Sequence, residues 1–217
     1  MLGKLLKKEW ALCMHPAAWL MLGMTVLILI PNYPYTVSFF YVTLGVFFIS
    51  MGARANHDVT FTLTLPVEKR AAVRARILFA IELELLSLLL AAGMILLHRV
   101  LIKAPNGAGM EANLALLGEG FLLYGLFHLI FFPMHFRDVS RIGVPFVCAS
   151  AAIFAVITLD VVLSYILPFW RDVLDTPDPE NLGVKLVFLA VCVLFYAAAT
   201  ALSLRVSQER FLKLDIR

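Results

Sequence analysis

Charge is scarce in this chain. Asp, Glu, Lys and Arg make up 15% of its 217 residues, against about 25% in an ordinary soluble domain. Hydrophobic residues reach 62%, well above the roughly 45–50% of soluble proteins. That balance excludes a water-soluble globule and identifies an integral membrane protein. Cysteine is nearly absent as well: Cys13, Cys148 and Cys192 fall at or within apolar runs with no paired spacing, so they read as small core residues without a disulfide or metal site. The chain lacks a G-x-x-x-x-G-K-[ST] phosphate loop, an H-E-x-x-H metal motif and a G-x-S-x-G nucleophile motif. These absences argue against an ATPase within the chain and against an intramembrane enzyme of the zinc or serine type.

The formal net charge of +3 comes from basic residues scattered among the short connections between apolar runs. A membrane-facing cause explains them better than nucleic acid, which is not expected as a partner. The apolar run after Lys7 and Lys8 is longer than a signal-peptide core and lacks a small-residue cleavage site, so the N-terminal helix is expected to be retained.

What is present is length. From Trp10 to Ala53 there are 44 residues without a Lys, Arg, Asp or Glu, broken only by Pro31-Asn32-Tyr33-Pro34. Since about 20 apolar residues cross a bilayer, this stretch is two spans joined by a tight turn. Runs at about 77–98, 114–134, 143–168 and 184–204 meet the same test. The expected fold is all-α and polytopic, six transmembrane helices in a single transmembrane domain over 1–217. Placing the N-terminus in the cytoplasm puts fourteen of the eighteen Lys and Arg residues inside and leaves only Arg99, Lys103, Arg171 and Lys185 outside. The positive-inside rule therefore selects cytoplasmic termini. The outer connections are too short for a folded external domain, and the acidic residues Asp172, Asp175, Asp178 and Glu180 read as a solvated loop.

Two features stand at the inner face. Residues 1–14 repeat Leu2, Leu5, Leu6 and Leu12 near helical spacing among Lys4, Lys7, Lys8 and Glu9, the pattern of an interfacial amphipathic helix with Trp10 at headgroup depth. His15-Pro16 then marks the bend into the first span. The polar segment 54–76, RANHDVTFTLTLPVEKRAAVRAR, separates spans two and three. Its first part, 54–64, mixes Asn56, His57 and Asp58 with Val59, Phe61 and Leu63, which suits a short helix with apolar anchors of the kind that docks in a groove. Pro66 with Glu68 after it suits the first turn of a new helix that runs through Lys69, Arg70, Arg74 and Arg76 into span three. A plain connection with basic residues reaching anionic headgroups explains 69–76 equally well, but not the insertion before them.

The basic amphipathic N-terminus, the tight first hairpin, Asn56-x-Asp58 and Thr64-Leu65-Pro66-Val67-Glu68-Lys69-Arg70 leading into span three together resemble the ABC-2 type permeases of bacterial ABC exporters. The likeness is nearest to the small phenol-soluble-modulin and antimicrobial-peptide exporter permeases. The resemblance implies that Asn56, His57, Asp58, Phe61, Leu65, Pro66 and Val67 belong to a coupling helix seated on a separate ATP-binding subunit. It also implies that ATP and Mg are bound by that partner and no cofactor by this chain, and that a second permease copy or a homologous chain completes the exporter. The bacterial cytoplasmic membrane is the implied location, with lipids as further partners and amphipathic peptides as cargo.

Four carboxylates fall within spans: Glu82, Glu84, Glu119 and Asp160. Ionisable groups at such depth are functional candidates. Glu82, Glu84 and Asp160 are the candidate substrate-pathway residues, although Glu82 and Glu84, about 200° apart on a helix, cannot share a face. Pairing with a basic group is the plainer reading for Glu82, and packing for His128 and His135. Alanine and serine clusters at 149–152 and at Ala197, Ala198, Ala199, Ala201 and Ser203 allow close helix approach in lipid. A proton-coupled carrier or channel using the membrane carboxylates remains the alternative function; the insertion at 54–64 argues against it.

Overall fold

A computed structural model describes residues 2–102 and 106–214; Lys103 and Arg217, both part of the charge count, lie outside them. Among the described residues the chain is helical without strands. Its elements are α1 (Leu2–Lys8, continued by a π-type turn Glu9–Cys13), α2 (Pro16–Gly23, continued by a 3-10 stretch Met24–Leu29), α3 (Val37–Ala55), α4 (Asp58–Thr64), α5 (Lys69–Leu101), α6 (Leu114–His135), α7 (Gly143–Ile166) and α8 (Leu182–Leu212). Helices α3, α5, α6, α7 and α8 are each long and apolar enough to cross a membrane, and the pair Leu2–Cys13 plus Pro16–Leu29 passes together, bent by 91° at its break. The crossings therefore number five, or six with the bent pair.

The break falls where the sequence placed it. His15 is extended, Pro16 opens α2 without sacrificing a hydrogen bond, and the Ala17 N–H donates to His15 Nδ1 at 3.1 Å. The start of the third span differs from expectation. Pro66 does not begin it: Leu65 is extended, as the residue before a proline tends to be, Glu68 is extended too, and α5 opens at Lys69 with Glu68 as its N-cap residue. From there α5 runs unbroken for 33 residues, about 50 Å at 1.5 Å per residue, longer than the ~30 Å hydrocarbon core.

Helices α6 and α8 pack most intimately. A Cβ at Gly118 would stand 3.3 Å from the Leu189 backbone, and one at Gly125 would stand 3.2 Å from the Tyr196 backbone. The two glycines lie seven residues apart on one face, so they let the helices approach where lipid offers no hydrophobic drive toward association. Of the small-residue clusters, Ala149, Ala199 and Ser203 are buried while Ala151, Ala197, Ala198 and Ala201 are exposed. Cys13 and Cys192 are buried, but Cys148 is exposed on α7, which corrects its reading as a core residue.

The ends of the bundle differ in character. One gathers α1, α4, the start of α5 and the end of α8, where Lys69 Nζ donates to the Leu214 carbonyl at 2.7 Å. The opposite end ties the remaining connections together. Asp175 accepts from the Glu111 N–H at 2.6 Å, and Asn113 donates to the carbonyls of Leu174 and Thr176 at 2.7 and 2.9 Å. Asp178 accepts from the Leu114 N–H at 2.9 Å and from the fully buried Lys185 at 3.0 Å. The acidic loop is therefore only partly solvated: Asp172 pairs with Arg171 in the open, whereas Asp175 and Asp178 close the loop against the start of α6. Spacing cannot reveal the closure against α6, because Glu111, Asn113 and Leu114 lie more than sixty residues from their partners.

Burial pushes the Asp175 carboxyl from an ordinary value of 3.8 up to about 7, assisted by the neighbouring Glu111 carboxylate and opposed by the Glu111 N–H. The folded state thus holds the proton more tightly than the unfolded one. The associated stability is complete below the unfolded value and is lost as pH rises through about 7. Thermal midpoints of the purified protein and of Asp175→Asn, measured from pH 4 to 8, are expected to show wild type losing ground to the variant as pH rises; parallel curves would refute the assignment.

Candidate functional site

The segment expected to meet a partner is built on a closed ring of four charges. α4 begins after His57, which adopts a left-handed conformation with φ 50° and turns the chain sharply after α3. That turn directs Asp58 inward. Lys8 Nζ lies 3.1 Å from Glu9 Oε1 and 2.8 Å from Asp58 Oδ1, and it donates to Thr62 Oγ1 at 2.8 Å, so all three of its protons are used. Arg76 Nε lies 3.0 Å from Glu9 Oε2, and Nη2 donates to Asp58 Oδ2 at 2.6 Å. Signs alternate around the ring and cancel. The ring joins three elements, the α1 continuation, α4 and α5, at a depth where Asp58 is only 9% exposed.

The remainder of α4 is two-faced. Asp58 and Thr62 are buried and Val59 and Leu63 half-buried against the core, whereas Phe61 is 51% and Leu65 39% exposed. Asn56, His57 and Pro66 are exposed beside them, and Val67 is half-buried. Of the residues expected to couple to a partner, Asn56, His57, Phe61, Leu65 and Pro66 present an outward surface, while Asp58 fixes that surface from behind. Sequence reasoning missed Lys8, Glu9, Thr62 and Arg76 as parts of the same device. An available signal was that Glu9 borders the uncharged run from Trp10 to Ala53, where unpaired charge is costly.

Cys13 brings its thiol to the same place, with Arg76 Nη2 donating to Sγ at 3.6 Å. Glu9, Cys13 and Asp58 offer ligand atoms within 4.8 Å of one another. Their carboxylates already face an ammonium and a guanidinium, so the donor set does not fit a metal ion.

α1 is fastened further along the same face of α5. Trp10 Nε1 donates to Glu82 Oε2 at 2.6 Å, and its ring meets Phe79 edge-on at 5.1 Å. Arg76, Phe79 and Glu82 recur every three residues, the spacing of one helix face. Glu82 is therefore an anchor for the N-terminal helix.

Glu84 points elsewhere, as the 200° argument requires. It sits about halfway along α5, 0% exposed, accepting from Tyr196 Oη at 2.7 Å and facing His128 Nε2 at 3.0 Å. His128 Nδ1 lies 2.9 Å from Thr200 Oγ1, and the His128 carbonyl accepts from Ser203 Oγ at 2.6 Å. One proton must lie between Glu84 and His128, whichever group carries it. This network joins α5, α6 and α8, with both carboxylate oxygens satisfied. Asp160 of α7 accepts from Trp170 Nε1 at 2.9 Å and borders a cavity of about 100 Å³ together with Glu119 of α6. Glu119 was not among the expected pathway residues, because its neighbour lies on another helix.

Residues 4–208 match the profile of the ABC-2 family transporter proteins. The chain belongs to that family. No curated protein and no solved structure matches it. Membrane subunits of the ABC-2 family act with a separate ABC ATP-binding subunit, and this ABC-2 protein carries at one end a rigidly backed short helix that exposes Phe61.

Removing one partner from a buried ion network costs about 3–5 kcal/mol, because the charges left behind stay desolvated. Arg76→Met is expected to destabilise the protein by about that amount. Adding Asp58→Asn should return part of the loss, since it removes a carboxylate left unmatched. Urea unfolding in mild detergent of both single variants and the pair measures this; strict additivity would mean that the ring does not act as a unit.

Proposed function

We propose that this chain is the permease subunit of an ATP-driven exporter in the bacterial cytoplasmic membrane, coupled through residues 54–66 to a separate ATP-binding subunit that carries ATP and Mg. Its cargo is an amphipathic or antimicrobial-type peptide moved outward. The observation that carries the coupling is the split of this segment: Phe61 on α4 and Leu65 just past its end are exposed, while the other face of α4 is tied by charge to α5. One exposed apolar anchor on a short helix and a second at its end suit a protein groove, and the ring gives a push on them a stiff route into a membrane-crossing helix. Family membership favours this over the proton-coupled carrier. So does Glu84, which is sealed among its partners.

The orientation rests on charge: connections at the α1 and α4 end carry most of the Lys and Arg residues, which favours that end as cytoplasmic. A second permease, identical or homologous, is supported by α7 and α8, whose apolar windows are each only 22% buried against 61% for α6. The peptide class rests on the likeness of 56–76 to the peptide-exporter branch and on acidic groups within apolar walls.

Two measurements test the proposal. Co-purification with its ATP-binding subunit is expected to fall at least tenfold in Phe61→Ala/Leu65→Ala, with the thermal midpoint of the isolated chain unchanged; retained association and ATP-dependent transport would end the coupling assignment. In a cysteine-free background, an impermeant maleimide is expected to label Ala108→Cys in intact cells and His57→Cys only after permeabilisation. The reverse pattern would invert the topology.

A further inference from the structure

The cavity between α6 and α7 lies toward the end of the bundle opposite the charge ring. Glu119 is about one and a half turns from the start of α6, and Asp160 about the same from the end of α7. The two side chains are 4% and 5% exposed. Asp160 Oδ1 is held by Trp170; Asp160 Oδ2 and both oxygens of Glu119 meet no donor from any other described residue, and the two carboxyls face each other within hydrogen-bonding reach. Around them stand Leu122, Leu123, Val156, Ile157, Leu163 and Phe188, enclosing about 100 Å³, several times the ~10–15 Å³ that one water needs. The buried Lys185 at this end is already committed to Asp178 and the Thr176 carbonyl.

Two facing carboxyls with no donor but each other are costly in an apolar pocket unless a shared proton or a bound cation offsets their charge. A primary ammonium supplies three N–H donors and one positive charge, matching the three oxygens in number. The hydrocarbon walls favour an alkyl chain behind that ammonium over a hydrated metal ion, and Trp170, packed edge-on against Phe188 at 5.9 Å, adds an aromatic surface of the kind cations prefer. The geometry points to a binding site for a primary alkylammonium group formed by Glu119 and Asp160. The assignment rests on the exporter reading only for the source of the ligand, which is the lysine side chain of an amphipathic peptide or the amine of an ethanolamine lipid.

The test uses the purified full chain in phosphatidylcholine nanodiscs, without ATP-binding subunit, and compares octylammonium with octanol after subtracting partition into empty discs. Octylammonium is expected to saturate one site at least tenfold more tightly than octanol. That preference is expected to vanish in Glu119→Gln/Asp160→Asn and to weaken in each single variant. Val156→Phe, which narrows the chamber without touching the acids, should lower the affinity for both probes. Displacement by a lysine-bearing amphipathic peptide, but not by added phosphatidylethanolamine, assigns the site to cargo, and the reverse assigns it to lipid. Equal binding of amine and alcohol, or a preference that survives the acid substitutions, would overturn the site. Because no ATPase takes part, failure here leaves the coupling proposal intact, and failure of the coupling test leaves this one intact.

Discussion

The Lys8, Glu9, Asp58 and Arg76 ring is the constraint on which the rest of the basic end depends. Each group alone would be an expensive charge in a poorly solvated place; together they neutralise one another. An ion network of this kind is weak evidence of high stability, since apolar residues could fill the same volume at no greater cost. Its consequence is geometric. Charge-assisted hydrogen bonds fix direction as well as distance, so α1, α4 and α5 cannot shift independently without exposing or orphaning a charge. A force applied to the exposed side of α4 meets Asp58, and through Arg76 it reaches the long helix that crosses the membrane.

Polar ties recur at three heights of the bundle, and each joins elements that lipid alone would not hold together. The ring occupies one end, Glu84 with His128 and Tyr196 the middle of α5, and Asn113, Asp175 and Asp178 the other end. Between them, contact is made by shape: Gly118 and Gly125 admit α8 to the surface of α6. This division follows from the solvent. In hydrocarbon, apolar side chains gain little by meeting each other, so close packing and hydrogen bonds must define the arrangement. The ties of the middle and far end are internally satisfied; Glu119 and Asp160 are the exception among the membrane acids, with oxygens that no other described residue completes.

Most of the architecture was legible because it is a length and charge problem. Apolar runs of about 20 residues gave the crossings, and His15-Pro16 gave the bend between α1 and α2. The α4 helix was legible from an amphipathic run after Asn56-x-Asp58. What could not be read was contact between distant segments. Asp58 looked like a surface carboxylate because Lys8 and Arg76 lie 50 and 18 residues away. Glu119, near the outer boundary of its span, was not paired with Asp160 because that companion is on the next helix. Pro66 was misplaced for a local reason: proline suits the first turn of a helix, but Glu68, two residues later, keeps extended geometry and delays α5 to Lys69.

That delay bears on how motion is transmitted. Were α5 to begin at Pro66, α4 and the membrane helix would be joined by a single hinge of one or two residues. Instead, the non-helical link of residues 65–68 separates them, bent at Pro66 where the Val67 N–H donates to the Leu65 carbonyl at 2.7 Å, and such a link by itself carries thrust poorly. The ring supplies the missing stiffness by bridging across the link: Asp58 near the start of α4 is bound to Arg76, seven residues into α5. Transmission through side chains means that the link can relax while the helices stay in register. The Trp10 to Glu82 bond then extends the same face another turn and a half along α5, so side-chain ties fasten the N-terminal helix and α4 to the stretch of α5 from Arg76 to Glu82.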